Sequence, residues 1–106
     1  MTETEINKRY NIPFEIIQEY ESLKPHHTAA YDEQDISYLS MLITLHRIGF
    51  QREEAATYMR LLLEGDKTQF QRLQMLNQKR EETLEKIHEK ENQLDQLDYL
   101  RFQINQ

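Results

Sequence analysis

Cysteine is absent from this 106-residue chain, and glycine and proline occur only twice each. Without cysteine there are no disulfides, no thiolate nucleophile and no cysteine-ligated metal site, which fits a reducing compartment and leaves packing and association to supply stability. Scarce glycine and proline, with 30% charged and 38% hydrophobic residues, favour helix over sheet, so an all-α fold is expected. Apolar runs long enough to span a bilayer are missing, and Met1-Thr2-Glu3-Thr4-Glu5 has neither the basic nor the apolar segment of a secretion signal. A cytoplasmic location is therefore expected, with no membrane partner.

The two glycines divide what is present. From Asp35, the residues Ile36, Leu39, Leu42, Ile43, Leu45 and Ile48 recur at helical spacing, and Gly49 supplies the left-handed residue that closes a helix. Phe50 begins the return. Glu53 and Glu54 then fall in a first turn where negative charge is favoured, Ala55, Ala56, Met59, Leu62 and Leu63 form a face, and Gly65 closes the second arm of this helical hairpin. Upstream, Glu5 to Asn11 reads as a short helix with Thr4 as its N-cap. Pro13 suits the first position of another, whose stripe is Phe14, Ile17 and Tyr20 with Ile16 beside them, and which Pro25 ends.

Residues 66–106 contain no glycine or proline and would reach roughly 60 Å as one helix, at about 1.5 Å per residue. A small domain of this length has a radius of gyration near ~13 Å, so such a helix has no core of its own in which to hide its apolar side chains. Phe70, Leu73, Leu76, Leu84, Ile87, Leu94, Leu97, Leu100 and Ile104 are the expected dimer interface. With Leu73, Ile87 and Leu94 at one seam position of a coiled coil and Leu84 at the other, Arg80 and Glu91 also enter the seam, so its middle is loosened. The expected domains are a head over 1–65 and a dimerisation helix over 66–106, forming a homodimer.

The run Tyr31, Glu33, Asp35-Ile36, Leu39, Leu42, Leu45, Ile48-Gly49-Phe50, Glu53-Glu54 resembles the MerR family of bacterial transcription regulators. Glu5 to Ile12 is similar to that family's first helix, Ile17-Gln18-Glu19-Tyr20-Glu21 to its second, and the C-terminal stretch to its antiparallel dimerisation helix. The resemblance implies a helix-turn-helix head that approaches DNA through the second helix, with Gln18 and Tyr20 on that helix and Lys8, Arg9, Lys24 and Arg47 as the nearby cations.

The departures are specific. Gln18 stands where the family has arginine, Glu19 where it has tyrosine, and Ser22 to Tyr31 is a shortened wing without glycine or arginine. Residues 1–35 carry three basic side chains against eight acidic ones, whereas affinity for a duplex comes largely from lysine and arginine neutralising phosphates. DNA binding is therefore expected to be weakened. The alternative is a dimeric protein-interaction module, or an antagonist that heterodimerises with a DNA-binding relative.

No enzyme motif is present: the sequence has no phosphate loop, nucleophile elbow or zinc-hydrolase helix. His26-His27 lack a third ligand nearby and read as solvated loop residues, His46 as a partly buried structural residue and His88 as a wet-face residue. Tyr10, Tyr20, Tyr31 and Tyr38 read as core or rim, and Glu19, Glu21, Asp32 and Glu33 as a solvated acidic face. Neither a cofactor nor a metal is expected.

Overall fold

The computed structural model describes residues 1–24 and 30–106, and every described element is helical. Helix α1 spans Glu3–Tyr10, α2 Phe14–Leu23, α3 Glu33–Arg47, α4 Arg52–Glu64 and α5 Gln69–Ile104, with a short 3-10 turn at Asp66–Thr68 before α5. The expected all-α class is observed. His26-His27 and Pro25 lie outside the described residues.

Helix boundaries follow local capping chemistry. The first helix starts two residues before the expected position because Thr2, rather than Thr4, is the N-cap, its hydroxyl accepting from the Glu5 amide at 3.3 Å. Asn11 closes α1 in the left-handed region at φ 55°, a conformation that asparagine tolerates better than most side chains. Pro13 is the N-cap of α2 and not its first helical residue, with extended backbone at ψ 143°. Lys24 ends α2 at ψ 135°, the extended geometry favoured by a residue that precedes proline.

The start of α3 is set by two carboxylates. Asp32 accepts from the Asp35 amide and Asp35 from the Asp32 amide, each at 2.9 Å, so Asp35 is the third residue of a reciprocal capping box. At the other end Gly49 adopts φ 97°, its amide reaching the His46 carbonyl at 3.1 Å and the Phe50 amide the Leu45 carbonyl at 3.0 Å. This bond pair is a Schellman cap, and it turns the chain into α4. Gly65 closes α4 at φ 100°.

The chain divides into two compact units, Met1–Arg72 and Leu73–Gln106. That division falls later than the expected one after Gly65, and Thr68 supplies a reason. Its hydroxyl lies 2.6 Å from the Leu61 carbonyl and 2.8 Å from that of Gly65, and it accepts from Arg72 Nε at 3.0 Å, which fastens the first turn of α5 to α4.

In the first unit α2 packs against α1, α3 and α4. Ile6, Ile17, Leu39, Leu42, Leu45 and Met59 are fully buried, and Phe50 meets Tyr58 edge-on at 5.9 Å between centroids. Two side chains placed on apolar stripes by their spacing stay in water, Phe14 at 45% and Ile48 at 41% exposure. The second unit is α5 from Leu73 onward with the two residues that follow it, and α5 has no buried residue. None of the described helices is long and apolar enough to cross a membrane.

Candidate functional site

The expected DNA-contacting residues separate into two groups. Lys8, Arg9, Gln18 and Arg47 are exposed. Tyr20 and Lys24 are instead drawn inward, which corrects their assignment as surface contacts. Tyr20 is 1% exposed and donates its hydroxyl proton to Asp35 at 2.5 Å. The Lys24 ammonium sits 3.3 Å from the same carboxylate, 5.4 Å from the centroid of the Tyr20 ring and 4.9 Å from that of Tyr31. A lysine held between a carboxylate and two aromatic faces has its charge largely satisfied within the protein.

This cluster ties the end of α2 to the start of α3. The Tyr31 hydroxyl donates to Glu21, and the Tyr31 amide donates to the Met1 carbonyl at 2.8 Å. Burial, followed by the bond to Asp35, pushes the Tyr20 hydroxyl far above its ordinary 10.0, and burial with the bond to Glu21 does the same to Tyr31. Burial alone would raise the Asp35 carboxyl. The Tyr20 hydroxyl, the Asp32 amide and Lys24 outweigh that effect and hold it below 3.8.

A second pairing was hidden in the sequence. Glu19, expected on a solvated acidic face, is 7% exposed, and His46 Nε2 lies 2.9 Å from its Oε2 and 3.2 Å from Oε1. The carboxylate is an acceptor, so Nε2 carries the proton and the ring orientation is fixed. Opposite polarity on two apolar stripes, Glu19 three residues after Ile16 and His46 three after Ile43, was the available signal. It becomes meaningful only once α2 and α3 are known to be neighbours.

Beside this pair opens a cleft of about 400 Å³ lined by Asn11, Pro13, Ile16, Ile43, His46 and Arg47. Arg47 has no hydrogen-bond or ion-pair partner among the described residues, in contrast to Lys24. No group of three or more histidine, aspartate or glutamate side chains among the described residues is arranged to hold a metal ion.

On α5 the expected interface residues are open to solvent in the single chain. Phe70, Leu73, Ile87, Leu94, Leu97, Leu100 and Ile104 are exposed, and Leu76 and Leu84 are half-buried. His88 is exposed as expected. Ile87 and Leu94, with Thr83, Lys86, Lys90 and Glu91, line a shallow groove of about 340 Å³ along the helix. Tyr99 and Phe102 add two further exposed aromatics that heptad spacing did not single out. No protein-family model, curated protein or solved structure matches the chain.

Proposed function

We propose that this chain is a MerR-like transcriptional regulator, acting as a homodimer joined through α5, with weak DNA binding by its first unit. The observation that carries the reading is the joint between α1 and α2. Only Asn11, Ile12 and Pro13 separate the two helices, Asn11 turns the chain in the left-handed region, and Phe14, Glu15, Gln18 and Ser22 of α2 remain exposed. Two short helices with a tight turn and a free outer face on the second are the elements of a helix-turn-helix reader. The weakness follows from that face, which offers an acid and no cation, while Lys24 is committed to Asp35.

Dimerisation rests on the uncovered apolar stripe of α5. In place of the register expected with Leu84 and Glu91 in the seam, we take Leu73, Arg80, Ile87, Leu94 and Arg101 at one seam position and Leu76, Thr83, Lys90, Leu97 and Ile104 at the other, with Leu84 flanking the seam. A parallel pair then sets each of Arg80, Lys90 and Arg101 against its own copy. An antiparallel pair centred between His88 and Glu89 brings Leu73 to the partner's Ile104, Arg80 to the partner's Leu97, Thr83 to the partner's Leu94 and Ile87 to the partner's Lys90. No like charges then meet within the seam. Each cation can extend its charged head to water over an apolar neighbour, so the antiparallel arrangement is the one we assign.

The withdrawal of Tyr20 and Lys24 favours a second reading, in which the acidic first unit engages a protein or the chain heterodimerises with a DNA-binding relative. Binding of the full-length protein to a random-sequence duplex, followed across salt concentration, separates the two. The regulator reading expects measurable affinity near ~50 mM salt with a shallow salt slope, since few phosphates are neutralised. A stoichiometric dimer that binds no duplex under those conditions would refute it in favour of the second.

A further inference from the structure

We propose that the cleft between the α1–α2 turn and the last turn of α3 binds a small apolar monocarboxylate, an aromatic or branched aliphatic acid. The inference does not depend on the regulator reading: the cleft shares the α1–α2 turn and Arg47 with that reading, but its ligand is a small acid and not a duplex.

The volume of about 400 Å³ falls within the range of small-molecule sites, roughly 300–1,000 Å³. Apolar walls with a few convergent polar groups are the usual composition of such sites. Here Pro13, Ile16 and Ile43 supply the walls, from the turn, α2 and α3. Ile16 and Ile43 are only half-buried, so part of their surface is left for a guest to cover.

The polar groups select an anion. Arg47 is exposed and unpaired among the described residues, and its planar guanidinium matches a carboxylate in a two-bond geometry. His46 lines the same cleft, but with its Nε2 proton donated to Glu19 the other ring nitrogen is an acceptor, so the ring serves as part of the wall and makes no bond to the anion. A cationic guest would be repelled by Arg47, and a neutral one would gain no ion pair with it. The Asn11 amide adds a second donor at the rim.

Asn11 and Pro13 belong to the joint that sets α2 against α1, so an occupied cleft bridges that joint to α3. Ligand binding therefore restricts the helix pair from outside its own core.

The test is a titration of the full-length, nitrogen-15-labelled protein with sodium benzoate, with benzamide as the neutral control, read by amide chemical shifts. Saturable shifts clustered at residues 11–16 and 43–47 are expected for benzoate. R47Q, a substitution at an exposed position, is expected to weaken that binding by about tenfold or more with its spectrum otherwise preserved. Absence of saturation at millimolar benzoate, equal affinity for benzamide, or unchanged affinity in R47Q would each overturn the proposal.

Discussion

The Tyr20 hydroxyl donates a 2.5 Å hydrogen bond to Oδ1 of Asp35, so a buried side chain of α2 holds the residue that caps the first turn of α3. The carboxylate is shared with Lys24 and with the Asp32 amide, and removing one donor leaves it less well satisfied in a partly dry site. Tyr20→Phe should therefore destabilise the first unit by about 2 kcal/mol, measured by urea denaturation. Asp35→Ala should cost more, because it also breaks the capping box.

The same cluster sets limits at both ends of the pH scale. The Asp35 carboxyl is held below 3.8, so its contribution to stability is present above that value and is lost as pH falls through its folded-state pKa. Tyr20 and Tyr31 are raised above 10.0, so their contribution is complete below that value and is lost as pH rises beyond it. Stability measured against pH should fall less steeply on the acid side in Asp35→Asn, and less steeply on the alkaline side in Tyr20→Phe.

Glu19 and His46 form the other coupled pair across α2 and α3. His46→Leu leaves a nearly buried carboxylate without its partner and should cost about 2 kcal/mol or more, whereas replacing both residues with leucine should recover most of that loss. A double-mutant cycle by thermal or urea denaturation measures the coupling. Additive losses would show that the contact contributes no coupling energy.

The orientation of the α5 pair can be tested directly, because the chain contains no cysteine of its own. Thr83→Cys and Leu94→Cys should cross-link when the two substitutions are present in one chain. Leu94→Cys alone should resist oxidation to a disulfide dimer. Efficient self-linking of the single variant would indicate parallel helices.

The helices of the hairpin were legible because their signals are local: leucines at three-residue steps, and glycines at Gly49 and Gly65 that adopt positive φ. Helix starts were less legible, since Thr2 and Thr4 offer the same hydroxyl and Asp32 and Asp35 the same carboxylate. Periodicity cannot tell which of two equivalent caps accepts the bond. The polar pairs were illegible for a different reason. Tyr20 finds Asp35 fifteen residues away and Glu19 finds His46 twenty-seven away, so each partner is defined by helix packing rather than by spacing along the chain. Exposed cations were easily found, but that Lys24 is satisfied internally while Arg47 faces a cleft emerges only in three dimensions.

Association through α5 is the claim on which the functional reading depends, and sedimentation equilibrium of the unmodified protein beside Leu84→Lys and Ile87→Lys measures it most directly. The wild-type chain should sediment as a dimer at micromolar concentration, and both variants should shift towards monomer while the first unit keeps its helicity. A folded wild-type monomer, or an undiminished dimer in both variants, would contradict the account.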